Sequence, residues 1–301
     1  MKKKYLIDEE FEDTRLDRWY KKNICSVPQS LFEKNIRKGK IKVNQERKKS
    51  SYKLKKNDEI IIDNFDPKLL IKKNNKYIPT GKEIISTSDF VIENNENFII
   101  INKPAGIAVQ SGTKSRKNIL DIISKTKYFK DSSPYAVHRL DKETTGVLII
   151  AKNRKYAQLF TSLFRIRKIH KTYLGVTFGE INKPKGTFKN DLYYFEGNKK
   201  IKMKAITHFD VIDSNNNYTL LKLTPESGRK HQIRRHLFMN GYPILGDTKY
   251  KFLDNTKNKK NYLMLHAYTI NFSINGKKYR FRAEPNIFFK KKLKEKYLKN
   301  F

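Results

Sequence analysis

The stretch His138-Arg139-Leu140-Asp141-Lys142-Glu143-Thr144-Thr145-Gly146, followed by Val147-Leu148-Ile149-Ile150-Ala151, decides how this chain is read. Gly146 to Ala151 is unbroken apolar sequence, the signature of a strand covered on both faces. The residues before it are charged and polar, and a glycine eases the chain into the strand. Catalytic side chains are often presented in this way, on a loop anchored by a rigid element. Asp141 has Arg139 two positions before it and is the stronger candidate; Glu143 has less claim.

Outward from this strand the pattern stays β-rich. Phe98 to Ile101 is a short apolar strand running into the turn-forming NKPAGIAVQSG. After the central strand, Asn153 caps a helix with Tyr156, Leu159, Phe160 and Leu163 on one side. Thr172 to Phe178, Ala205 to Val211 and Tyr218 to Thr224 read as strands, and 230–240 as a helix burying Ile233 and Leu237. YTINFSINGKKYRFRA is a hairpin turning at Asn275-Gly276. Phe289, Leu293, Tyr297 and Phe301, four apart, place one apolar stripe on a terminal helix. Residues 86–301 are thus expected to form an α+β domain with a mostly antiparallel mixed sheet.

Ahead of it, residues 14–62 read as a small unit: a helix capped by Thr14, a second opened by Ser26 and Pro28 and ended by Gly39, then an edge strand at Ile41 and Val43. Arg15, Arg18, Arg37, Lys38, Lys40 and Lys42 would lie on or near these elements, giving either an RNA-binding accessory or a plain solvated face. Residues 1–13 are an N-terminal segment. Residues 63–85, with two prolines and no sustained period, are the expected linker, although Leu69, Leu70 and Ile71 offer packing.

The chain has 66 lysines and arginines against 30 acidic residues, a formal net charge of +36. Such an excess points to a polyanion, because neutralising phosphates and releasing their counterions drives nucleic-acid binding. A lysine- and asparagine-rich composition also inflates it, so the sign informs more than the size. A single cysteine, Cys25, excludes an intramolecular disulfide and any cysteine-built metal cluster and fits a reducing compartment. No apolar run reaches signal-peptide or membrane-spanning length, and the expected location is the cytoplasm. Nothing suggests an obligate protein partner, and a monomer is expected.

A second unusual segment is ESGRKHQIRRHLFMNGYPILGD, from Glu226. Arg229 stands near the start of the expected helix, with Lys230 and Gln232 beside it. Arg234 can pair with Asp141 and keep it ionised, or contact phosphate, or lie on the surface; spacing alone leaves all three open. Tyr173 in the KTYL strand is either core or, beside His170 and Lys171, a rim ring on which a base stacks. His231 and His236 are five apart with no acidic ligand pattern, which disfavours a metal site. Ser227 with His231 lacks the nucleophile elbow of a hydrolase.

HRLDKETTGVLIIAK closely resembles the catalytic motif of the RluA-type pseudouridine synthases. NKPAGIAVQSG, KTYLGVTFG, GRKHQIRRHLFMNGYPILGDTKY and LHAYTINF resemble that family's other motifs, in the right order, over roughly residues 88–285. The first unit, TRLDRWYKKNICSVPQSLFEKNIRKGKIKVNQ, resembles the S4 RNA-binding module. Three departures stand out: Gln110 where histidine is common, Lys142 where arginine is frequent, and the additional Arg235.

The resemblance implies isomerisation of uridine within RNA, with neither metal nor cofactor. Asp141 would be the nucleophile, Arg234 its partner, Tyr173 the ring that holds the base, and Arg139 the side chain filling the stack behind a flipped uridine. Leu265 would wall a narrow, mostly apolar pocket that keeps water from a covalent intermediate. Lys142, Lys168, Arg229 and Lys230 would contact phosphates, and Gln232 joins the substrate-binding set. The S4-like module and KPAGIAVQSG favour the RluC- and RluD-like branch acting on large-subunit ribosomal RNA. Transfer RNA, or a non-catalytic role in ribosome assembly, are the alternatives.

Overall fold

The computed structural model describes residues 2–25, 27–63, 77–111, 117–196, 199–252 and 262–299. The chain divides into two compact units, Met1–Lys76 and Tyr77–Phe301.

The first unit has a three-stranded antiparallel sheet ordered β1 (Lys2–Leu6), β3 (Glu59–Asp63), β2 (Ile41–Val43). Helices α1 (Leu16–Asn23) and α2 (Gln29–Arg37) complete it. Trp19, Tyr20, Phe32, Leu54 and Ile60 lie in its own buried core. The segment expected to precede the unit is therefore part of it. Only Tyr5 in β1 is even partly buried, so no apolar alternation announces the strand, and its lysines guard an open sheet edge against pairing with other chains.

Arg15, rather than Thr14, is the residue ahead of α1, and no side chain caps the helix. The Arg15 guanidinium is tied to Asp17 by bonds of 3.1 and 2.7 Å, which removes it from the set of unengaged cations. Arg18, Arg37 and Lys38 are exposed, and Lys40 and Lys42 are half-buried. Gly39, at φ +70°, ends α2 in the left-handed region that favours glycine. Ser26, Leu69, Leu70 and Ile71 lie outside the described residues.

In the second unit, helix α3 (Gly81–Ser88) occupies positions expected in the linker. A ten-stranded sheet follows, ordered β4 (Val91–Asn94), β5 (Phe98–Lys103), β7 (Thr145–Ala151), β12 (Leu265–Ile274), β8 (His170–Phe178), β11 (Tyr218–Pro225), β10 (Lys199–Asn215), β9 (Lys185–Glu196). Strand β6 (Tyr135–Ala136) pairs with β7, and β13 (Lys277–Arg282) with β12. Every pairing is antiparallel except β7 with β12.

The central strand works as a two-sided core element because its side chains alternate. Leu148 and Ile150 enter one apolar cluster, with helices α4 (Ile119–Ile123), α6 (Gln232–Met239) and α7 (Ile287–Glu295). Val147, Ile149 and Ala151 enter the other, against α5 (Arg154–Arg165), whose first turn is capped by Asn153. At Gly146 (φ +110°) a Cβ would lie 2.1 Å from the Ala267 carbonyl oxygen. That glycine is what lets β7 run against β12.

Three elements differ from expectation. Strands β9 and β10 form one long hairpin, where only Ala205 to Val211 was expected. Helix α6 begins at Gln232 because His231 is left-handed (φ 54°), so Lys230 shares no helical face with Arg234. At the terminus α7 stops at Glu295, and Tyr297, left-handed and 91% exposed, leaves the stripe. Leu298 takes the buried place instead, and Phe301 lies outside the described residues.

Candidate active site

Residues 137–144 connect β6 to β7, and three contacts fix them. The Ile149 N–H donates to His138 Nε2 at 2.9 Å. Burial, with Lys171 nearby, pushes the His138 imidazole down to about 3, so the nitrogen stays an acceptor. The fully buried Lys103 donates from Nζ to the carbonyls of Pro104 (2.7 Å), Ile107 (3.0 Å) and Lys142 (3.1 Å). Three acceptors match the three N–H bonds of an ammonium. Burial draws this lysine down to about 7, while Glu143 and Asp141 act the other way. The Gly106 N–H donates to the same Lys142 carbonyl at 3.0 Å. The NKP turn is thus stitched to the loop one residue past Asp141.

Asp141 meets Arg234. Nη1 of the arginine donates to Asp141 Oδ2 at 3.0 Å, while Nε and Nη2 grip Asp247 at 2.7 and 2.8 Å. Asp247 is fully enclosed. Burial alone would raise its pKa, but the Arg234 bonds and the N–H groups of Tyr250 and Lys249 outweigh this and hold it below the usual carboxylate range. The guanidinium also lies 5.2 Å from the Tyr250 ring centre. The fork is therefore set by Asp247, and its remaining edge orients Asp141. His231 Nε2 approaches the other Asp141 oxygen at 3.6 Å, and its Nδ1 hydrogen-bonds the Tyr250 hydroxyl.

Asp141, His231 and Arg234 line a cavity of about 680 Å³. Its buried wall contains Tyr173, Leu140, Ile233 and Leu265. Burial, and secondarily Asp141, push the Tyr173 phenol up, so it stays protonated at neutral pH. The rim carries Arg139, Arg165, Arg167 and Arg229. The pocket is consequently not mostly apolar as expected: apolar surface lies behind an arginine-rich opening. Next to the wall, His266 in β12 accepts from the Thr145 hydroxyl at 2.8 Å and donates from Nε2 to the Ala283 carbonyl at 2.9 Å, bracing the β7–β12 junction.

The other sequence candidates separate here. Lys142 and Lys230 are exposed and lie outside the cavity wall, as does Lys168. Gln232 is buried on the wall, but its amide is already bonded to Ile206, Thr207, Ser227 and Arg229, so its part is to hold the 227–229 turn. Ser227 donates to Gln232 rather than to His231, which leaves no hydrolytic triad. His236 turns away to Thr207. Among the described residues no group of three or more His, Cys, Asp or Glu is placed to hold a metal ion. Reasoning from sequence passed over Asp247, Lys103 and Lys171. The sequence signals for Asp247 were its place in GRKHQIRRHLFMNGYPILGDTKY and directly after Gly246; in the structure that glycine has φ +80°, and a Cβ would lie 2.0 Å from the Tyr262 carbonyl oxygen.

The chain belongs to a class of RNA-modifying isomerases, the RluA-type pseudouridine synthases. Residues 97–238 match the family model described as RNA pseudouridylate synthase. The chain is 36% identical to ribosomal large subunit pseudouridine synthase C of Rickettsia conorii, over 93% of this chain and 96% of that one. It is 34% identical to the protein of the same name from Buchnera aphidicola subsp. Schizaphis graminum, over 94% of each. Human RNA pseudouridylate synthase domain containing 4 superposes with a TM-score of 0.62 at 25% identity, over 72% of this chain and 96% of that one. Among the described residues no helix is long and apolar enough to cross a membrane.

Proposed function

We propose that this pseudouridine synthase acts on large-subunit ribosomal RNA in the cytoplasm, with Asp141 as its nucleophile. The observation that carries the assignment of Asp141 is its placement on the cavity wall, 3.0 Å from an arginine already locked by a second, enclosed carboxylate. An oriented carboxylate follows, because its partner has no other position to take.

The uridine N1–C1′ bond breaks, the base turns within the pocket, and C5 bonds to C1′. The hydrogen at C5 leaves as a proton and N1 takes one up, so atoms balance. Tyr173 and Leu265 pack against the base, and Arg139 at the rim fills the gap it leaves in the RNA. Tyr173 holds the ring by stacking and stands beside it for handling of the C5 proton. The first unit, with its own core and exposed Arg18, Arg37 and Lys38, serves as the S4-like RNA-binding module. The relatives named for the large ribosomal subunit support that target.

The test is site-resolved pseudouridine mapping of ribosomal and transfer RNA in cells lacking the protein, complemented by wild type or D141A. The expected result is loss of marks in large-subunit RNA, restored only by wild type. Loss confined to transfer RNA would overturn the target, and restoration by D141A would overturn the nucleophile.

A further inference from the structure

Among the described residues, two cations of the cavity wall have no counter-charge. Lys171 in β8 lines the cavity and is largely shielded from solvent, which lowers its pKa from the ordinary lysine value. Among the described residues it makes no ion pair or hydrogen bond; the Phe164 ring centre lies 5.6 Å from its Nζ. Arg229, on the turn after β11, has its Nε shielded from water and without a partner. A shielded charge or donor left unpaired is costly and calls for a reason.

The two approach each other through the residue between their elements. A Cβ added at Gly228 would lie 3.8 Å from Lys171 Nζ, so the ammonium sits over the bare backbone just before Arg229. The nearby carboxylate, Glu226, is committed elsewhere: one oxygen is 2.8 Å from His208 Nε2 and the other faces Arg167 at 4.0 Å. Gln232 fixes the turn by accepting from the Arg229 N–H and from Ser227. Strand and pinned turn thus hold two unsatisfied cationic groups along one wall of the cavity that contains Asp141.

We propose that Lys171 and Arg229 form an anion subsite for a backbone phosphate of the RNA strand that delivers the uridine. This rests on the reading of the cavity as the uridine pocket. A phosphodiester supplies the charge and the acceptors that both groups lack, and a neutral base does not. Phosphate binding would anchor the nucleotide from its backbone side while the base packs on Tyr173, fixing the sugar relative to Asp141.

The experiment uses full-length wild type, K171M, K171R and R229Q with an unmodified large-subunit ribosomal RNA transcript carrying [5-3H]uridine. Affinity is followed across a KCl series, turnover by tritium release, and folding by thermal melting. The slope of log K against log salt should become shallower by roughly one unit in K171M and again in R229Q, with affinity weaker by about tenfold or more. K171R should restore both. K171M should melt higher than wild type, because the charge it removes is one that burial penalises. Unchanged slopes in K171M and R229Q would overturn the subsite whatever happens to turnover. A K171M protein that melts lower, with its slope intact, would make Lys171 a fold residue instead. Absence of tritium release by wild type from both ribosomal and transfer RNA transcripts would remove the proposed function, while the salt slopes still read the anion subsite.

Discussion

Arg234 has every part of its fork engaged: two bonds to Asp247 and one to Asp141. The two carboxylates are unequal in consequence. Asp141 is one quarter exposed, so its removal leaves Arg234 still paired. Removal of the Asp247 charge leaves a buried guanidinium half-satisfied, which costs about 3–5 kcal/mol. D247N is therefore expected to lower the urea midpoint sharply and to lose activity, whereas D141N loses activity with little change in stability. Equal stabilities for the two variants would contradict this hierarchy. The Asp247 pKa is depressed on folding, so its contribution is complete above the unfolded value and lost as pH falls through the folded one. Asp141 and Arg234 stand in motifs that carry their identity in the sequence. Lys103, Lys171 and Asp247 lie in quoted motifs as well, but their roles were not legible there, because a charged side chain reads as surface until tertiary contacts bury it.

At the scale of elements, apolar periodicity marked β5, β7 and β8, and the Asn275-Gly276 turn marked the β12–β13 hairpin. Strands whose lysines face solvent escaped: β1 entirely, and the β9–β10 hairpin for most of its length, where Lys200, Lys202 and Lys204 crowd the pattern. The left-handed His231 delayed α6, and nothing in the residue type announces that conformation. Gly146 shows the opposite, a residue whose identity follows from its contact. Alanine there meets the Ala267 carbonyl and an unfavourable φ together, a cost of at least about 3 kcal/mol. G146A should accordingly yield little soluble protein, or a melting point lowered well beyond that of G241A, where an added Cβ meets nothing within 4 Å. Comparable solubility and melting for the two would show that β7 and β12 can separate at no cost.

For the whole molecule, acid should be more damaging than the surface charge suggests. His138 and His266 are held neutral, at about 3 and about 4, each with a ring nitrogen accepting a hydrogen bond. Both values lie below the unfolded 6.5, so stability is complete above that pH and falls as the unfolded chain gains protons the native one refuses. Between neutrality and about pH 4 the loss should reach a few kcal/mol, read as a falling urea midpoint. H266Q should flatten part of that slope, and a midpoint independent of pH over this range would refute the account.

The parallel junction of β7 with β12 also sets the order in which the enzyme comes into being. The Thr145–His266 contact spans 121 positions of the chain, and the ribosome adds residues at roughly 5–20 per second. The loop bearing Asp141 therefore leaves the ribosome on the order of 6–24 s before the strand that braces it, and longer before β13 is added. Through that interval β7 lacks one of its flanking strands, so a nascent chain stalled short of β12 is an aggregation-prone client for chaperones with no completed pocket.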